Sequence, residues 1–193
     1  SPYNPGPEWR TKWSTYDPEQ ANELLDSIGL DQKDDEGFRV RTDNGERLRI
    51  EVQTVVAFLP WPKQMEMVAE QWKGCGIQAD VKEMERALAM TRTRNNEHQI
   101  MVWTNGGTEL LYLFPRHAIP VDPTEAFMGP EFAYWYTSGG TDGREPTDPN
   151  ILKIFELFSS AAGQQEEERY KTAQEIWKIL VDQQYGIGTV GQS

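Results

Sequence analysis

From Trp61 to Trp103 the chain alternates helical and extended patterns at short intervals, which confines it to a layered α/β arrangement. Pro62 suits the first turn of a helix, where its missing N–H needs no partner. Met65, Val68, Ala69 and Trp72 recur at helical spacing, and Gly74 and Gly76 end that helix. Ile77, Ala79 and Val81 alternate with Gln78, Asp80 and Lys82, the pattern of a half-buried strand. A helix-prone turn at Ala87 to Thr91 leads to a second strand, His98 to Trp103, with Ile100 and Val102 on one face. Trp103 falls at that strand's C-terminal end, where ligands commonly bind in open α/β sheets.

The 193 residues suffice for one large domain or two small ones, and a 37% hydrophobic content supports a core. Mean hydropathy is −0.70, and the apolar run Val55 to Leu59 is far short of a membrane span. A net charge of −12 argues against a nucleic-acid partner, since phosphate binding needs clustered Lys and Arg. The single cysteine, Cys75, excludes an internal disulfide and a cysteine-based zinc site, and reads as a small buried hydrophobe.

Ser1 to Thr15 has no period and reads as a linker. Asp17 to Ile28 predicts a helix: Asp17 as N-cap, Pro18 at N1, Gln20 at N3, then the stripe Ala21, Leu24, Leu25 and Ile28. Gly29 followed by Leu30 fits a Schellman ending. Phe38 to Arg41 and Leu48 to Gln53 predict strands flanking Thr42-Asp43-Asn44-Gly45, a hairpin signal. Leu110 to Pro149 shows no clear period, although it is dense in aromatics. Two helices close the chain, one from Asp148 and Pro149 with Ile151, Ile154, Phe155 and Phe158 inward, the other from near Gln164 with Tyr170, Ala173, Trp177 and Leu180. Glu166 to Glu168 suit the latter's start. Gly186 to Val190 has the pattern of a short final strand.

Catalytic patterns are weak. His98 and His117 lie in different elements and lack helically spaced carboxylates, so no metal or cofactor is expected. No Gly-x-Ser-x-Gly occurs. Glu109, Asp122, Glu125 and Glu131 could serve as a glycosidase pair by location alone, and such coincidences are common among 31 acidic residues. Gly106-Gly107 follows a strand without a third glycine, a pattern that suits close approach of a ligand more than a nucleotide cradle. Trp103, Tyr134 and Trp135 combine flat apolar faces with polar tips and are the aromatic ligand candidates. Phe114, Phe127 and Phe132 read as anchors for the long loop.

Four segments resemble the bacterial extracellular solute-binding proteins, family 5, of ABC importers. They are Tyr16-Asp17-Pro18-Glu19-Gln20-Ala21 with Leu24-Leu25 and Gly29; Trp72-Lys73-Gly74-Cys75-Gly76-Ile77 with Val81; the strand ending at Trp103; and Glu168-Arg169-Tyr170 leading into the last helix. The resemblance implies an α/β fold, one lobe of the type II periplasmic-binding-protein fold, with a mixed sheet flanked by helices. It implies that residues 1–193 form a single lobe, the C-terminal one, of a larger two-lobe protein. It implies an extracytoplasmic location, and as partners a small solute, the N-terminal lobe of the same protein and an ABC permease in the membrane. Peptide binders of this family commonly carry an Asp three residues after this Trp to meet the peptide's α-amino group; here that position is Gly106. Glu109 is a nearby substitute, and without the Asp an uncharged ligand such as an oligosaccharide gains ground. The implied ligand-binding set is therefore Trp103, Asn105, Gly106, Gly107 and Glu109, with Tyr134 and Trp135.

Three readings stand at this point: a solute-binding lobe, a carbohydrate-active enzyme using the loop carboxylates, and an acidic protein-interaction module.

Overall fold

A computed structural model describes residues 1–57, 59–104 and 110–188. In chain order its elements are α1 (Pro7–Thr11), α2 (Pro18–Ser27), β1 (Arg49–Val55), α3 (Trp61–Gly74), β2 (Gln78–Met84), α4 (Arg86–Arg94), β3 (Ile100–Met101), a 3₁₀ turn (Pro115–His117), α5 (Pro130–Thr137), α6 (Pro149–Ser160) and α7 (Glu166–Gln183). They fall into two compact units. One comprises Tyr16–Thr93 and Glu97–Trp103, the other Ser1–Thr15, Arg94–Asn96 and Thr104–Ser193.

The first unit is built on a three-stranded sheet of order β2-β1-β3. β1 pairs with β2 from Arg49 opposite Gln78 to Val55 opposite Met84, and with β3 at Val52–Ile100 and Gln53–Met101, parallel in both cases. The expectation of a mixed sheet is therefore corrected: among the described residues the named strands are all parallel. Among the described residues the antiparallel component shrinks to the isolated bridges Lys33–Arg39, Val40–Arg47 and Ala57–Leu59, so Phe38 to Arg41 is not a full strand. The turn holds nonetheless, with Arg41 N–H donating to Glu46 O at 2.7 Å and Gly45 N–H to Arg41 O at 3.0 Å. Parallel neighbours need crossovers, and α3 and α4 supply them. One runs out from β1 to β2 and the other back past β1 to β3. The right-handed rule for such units assigns them opposite faces of the sheet. On one face Glu51 pairs with Arg92 at 2.8 Å, Gln53 donates to Ala89 O at 3.0 Å, and Val55 packs on Ala89, so this face belongs to α4.

Both α2 and α3 end as their glycines predict. Leu30 N–H donates to Leu25 O and Gly29 N–H to Asp26 O; Ile77 N–H donates to Trp72 O and Gly76 N–H to Lys73 O. These are two Schellman motifs, with Gly29 at φ +88° and Gly76 at φ +83°, conformations costly for any residue with a Cβ. Asp17 caps α2 by accepting from Gln20 N–H at 2.9 Å. The apolar stripe of α2 has the expected period but another environment, since Leu24 and Ile28 are 53% and 69% exposed. A stripe is buried only where a second layer faces it, and periodicity carries no information about that layer. Cys75, expected to be buried, is half-buried just past α3.

Arg39 ties these helix ends together. Its side chain is 1% exposed. Nε donates to Cys75 O at 2.7 Å, Nη1 to Leu30 O and to Asp26 Oδ1, and Nη2 to Asn22 Oδ1 at 2.7 Å. A buried guanidinium is tolerated because its donors are met by carbonyls that helix termini leave over.

The second unit is helical. Leu111, Ile119, Val121, Ile151, Ile154, Phe155, Ala173, Ile176 and Leu180 form its core. α6 presents the face expected from sequence, and Asp148 caps it by accepting from Asn150 N–H at 2.8 Å. Asp148 also accepts from the Tyr185 hydroxyl. The opening segment, expected to be linker-like, carries α1 and packs along α7. The Tyr3 ring meets Tyr170 edge-on at 5.2 Å, and Gln174 donates to Pro2 O at 2.8 Å. α5 was not evident from sequence. Of the final strand expected at Gly186 to Val190, residues 186–188 are not extended in a sheet, and 189–190 lie outside the described residues.

Candidate ligand-binding site

The C-terminal ends of parallel strands form a natural crevice, because the chain leaves each strand there and helices begin beside it. In the first unit this edge collects Val55 and Ala57 from the end of β1, Met84 from the end of β2, and Met101, Val102 and Trp103 from β3 and its exit. The strand expected to run through His98 to Trp103 is shorter, Ile100–Met101. Val102 N–H continues the pairing by donating to Gln53 O at 3.0 Å. Trp103 therefore stands two residues past β3, directly on the crevice edge.

Among the described residues, Trp61 and Arg86 meet its indole. The Trp61 ring, 4% exposed at the first turn of α3, lies 5.5 Å from it, centroid to centroid, at 47°. The Arg86 guanidinium carbon, from the first residue of α4, lies 5.2 Å from the Trp103 centroid. Trp61 thus backs the indole of Trp103, which is itself half-buried. Val56, Leu59 and Leu88, from the β1 exit and the start of α4, are more than half exposed. A flat aromatic face, a cation and apolar rim together suit a ligand with one apolar surface and polar edges. Trp61 and Arg86 did not emerge as site residues from the sequence. The Pro60-Trp61-Pro62 helix start hinted at the former, while nothing local marks the latter.

The remaining sequence candidates divide. Asn105, Gly106, Gly107 and Glu109 lie outside the described residues. Tyr134 and Trp135 are half-buried on α5 in the second unit, with Trp135 stacked on Phe155 at 6.2 Å and 23°. The loop carboxylates have local duties: Asp122 accepts from Thr124 N–H at 2.9 Å, and Glu125 pairs with Arg116 at 2.6 Å. Among the described residues no three of His, Cys, Asp and Glu gather as metal ligands. His117 stacks on Phe127 at 5.1 Å. No helix among the described residues is long and apolar enough to cross a membrane.

Residues 1–110 match the family model described as bacterial extracellular solute-binding proteins, family 5 Middle. The fold is similar to that of an oligopeptide-binding protein, OppA, with a TM-score of 0.83 and 25% identity over 96% of this chain and 31% of that one. It is similar to MelB from Agrobacterium fabrum C58, solved with stachyose, with a TM-score of 0.73 and 18% identity over 90% of this chain and 25% of that one. It is also similar to a Thermotoga maritima periplasmic oligopeptide-binding protein solved with mannohexaose, with a TM-score of 0.63 and 16% identity over 95% and 32%. No curated protein matches the chain. The chain spans about a third of the length of the first of these solved relatives. The fold thus defines an α/β lobe of the binding-protein kind, and the chain belongs to the bacterial extracellular solute-binding proteins, family 5.

Proposed function

We propose that this chain is the C-terminal lobe of a two-lobe, non-catalytic binding protein that captures an oligopeptide or oligosaccharide outside the cytoplasm and delivers it to an ABC permease. The observation that carries this reading is the placement of Trp103 at the C-terminal edge of the parallel sheet, backed by buried Trp61. Similarity to proteins named or solved with oligopeptides, stachyose and mannohexaose supports the two solute classes. Asn105, Gly106, Gly107 and Glu109 follow Trp103 in sequence, and together with Tyr134 and Trp135 they complete the set that the family resemblance implies. Closure of two lobes over the solute would bury it and supply the other half of the contacts.

Titration of the intact protein with stachyose, mannohexaose and short peptides tests this. Trp103→Ala should weaken the solute that binds by about tenfold or more, the loss of one stacked aromatic contact. Unchanged affinity removes Trp103 from the site. Turnover of any glycoside, abolished in a Glu109 or Glu131 variant, would overturn the non-catalytic reading.

A further inference from the structure

We infer that the helical unit carries a small-molecule site of its own, built for an aromatic carboxylate and formed where the opening segment lies along α7. Three ties hold the segment to that helix. Gln174 donates to Pro2 O at 2.8 Å, the Tyr3 ring meets Tyr170 edge-on at 5.2 Å, and Lys12 pairs with Asp182. From Gln174 to Asp182, α7 advances by about 12 Å. Trp177 and Val181 fall within that stretch, at helical spacing from Gln174 and so on the same face. A pocket of about 290 Å³ is lined there by Tyr3, Pro5, Trp9 and Arg10 from the opening segment and by Trp177 and Val181 from α7. Its size is at the small end of ligand pockets, roughly 300–1,000 Å³.

The lining sets the chemistry of the occupant. Two indoles and a phenol favour a planar apolar body, which stacks on such rings. Most polar groups nearby are already engaged. Asn4 Oδ1 accepts from Gly6 N–H at 2.9 Å. The Lys12 ammonium lies over the Trp9 ring, 4.7 Å from its centroid, and Asp182 meets its charge. The Glu8 carboxylate is turned back against Gly6, and residues two apart on a helix do not face each other. Arg10 differs from these. It is exposed at the pocket wall, and its guanidinium has no ion-pair or hydrogen-bond partner among the described residues. In a chain of net charge −12, an unpaired cation beside aromatic walls selects an anion. A carboxylate matches the paired N–H donors of a guanidinium bidentately, whereas a neutral amide of the same shape forgoes the charge.

Isothermal titration of the intact protein at low salt, with naphthoate and with naphthamide as its neutral match, tests the assignment. The acid should bind about tenfold more tightly than the amide, and added salt should narrow the difference. Arg10→Gln, a surface change, should bring the acid down to the affinity of the amide. Trp177→Leu should weaken both probes alike. Trp177 also packs against the core of this unit, so Trp9→Leu on the opposite wall supplies the same reading should Trp177→Leu fail to fold. No binding of the acid, equal binding of acid and amide, or a preference that survives Arg10→Gln overturns the inference. Loss of acid binding in Trp103→Ala but not in Trp9→Leu also overturns it, because the probe would then sit at the sheet edge.

Discussion

Arg39 runs across the space that a side chain at Gly76 would fill. Its Cγ lies 2.8 Å from the position of a Cβ built on Gly76, and its N–H donates to the Gly76 carbonyl at 2.7 Å. Gly76 is thus required twice, once by the left-handed backbone that ends α3 and once by the buried arginine packed on it.

Gly29 provides the matched control. It ends α2 with the same motif, but a Cβ there would meet only Thr42 Cγ2 at an ordinary 3.7 Å. Gly29→Ala should cost about 1 kcal/mol for backbone conformation alone. Gly76→Ala should cost distinctly more, roughly 2–4 kcal/mol, because Arg39 must also shift. Urea midpoints for the two variants would check the order, and equal costs would refute the steric half of the argument.

Replacing Arg39 itself tests the lock. Arg39→Met removes the donors that satisfy Leu30 O, Cys75 O and Asn22, with an expected loss of roughly 3 kcal/mol. Asp26→Asn should cost under about 1 kcal/mol, because Asp26 is 54% exposed and its carboxylate is largely hydrated already. Denaturant titration of both variants distinguishes a carbonyl-capping role from a simple ion pair.

The pair Tyr185–Asp148 predicts a pH window. The Tyr185 hydroxyl bond holds the Asp148 carboxyl below its ordinary 3.8, against partial burial and helped by Asn150. Burial first, and then Asp148, push the Tyr185 hydroxyl well above its ordinary 10.0. A lowered carboxyl contributes stability that is full above its unfolded value and is lost as pH falls through the folded one. A raised phenol contributes stability that is full below its unfolded value and is lost as pH rises through the folded one. Tyr185→Phe should therefore cost about 1 kcal/mol between roughly pH 4 and pH 10, and less on either side. Thermal midpoints of the two proteins across pH would show this; a cost independent of pH would mean that the contribution of the hydroxyl is not linked to the ionisation of Asp148.

Gln53 is fully buried in β1, and its Oε1 has no hydrogen-bond partner among the described residues, although Nε2 donates to Ala89 O and Thr93 Oγ1. Thr93 already donates to Ala89 O at 2.9 Å, so removing the amide leaves no new orphan there. Gln53→Met should change stability by less than about 1 kcal/mol despite full burial. A loss of several kcal/mol, read from the urea midpoint, would show that Oε1 is satisfied after all.

Much of the helical layout was legible before any coordinates. Asp17 and Asp148 cap where expected, Gly29 and Gly76 stop where expected, and Ile151, Ile154 and Phe155 face inward. Caps and stops are satisfied by residues a few positions away, so local sequence carries them. α5 left a signal as well, Pro130 and Glu131 in its first turn, masked by the aromatic density around it. The strands were less legible, because pairing direction and length depend on a partner elsewhere in the chain. Phe38 to Arg41 alternates adequately yet forms only isolated bridges.

The site divides along the same line. Sequence alone determined that Trp103 closes an extended segment and is followed by a glycine-bearing stretch, since strand pattern and composition are local properties. It could not determine that Trp61 and Arg86 would stand against that indole, nor that Arg39 would be buried among helix ends. Those neighbours come from the starts and ends of other elements, and only the parallel register of β1, β2 and β3, with a crossover helix between each, brings them to one edge.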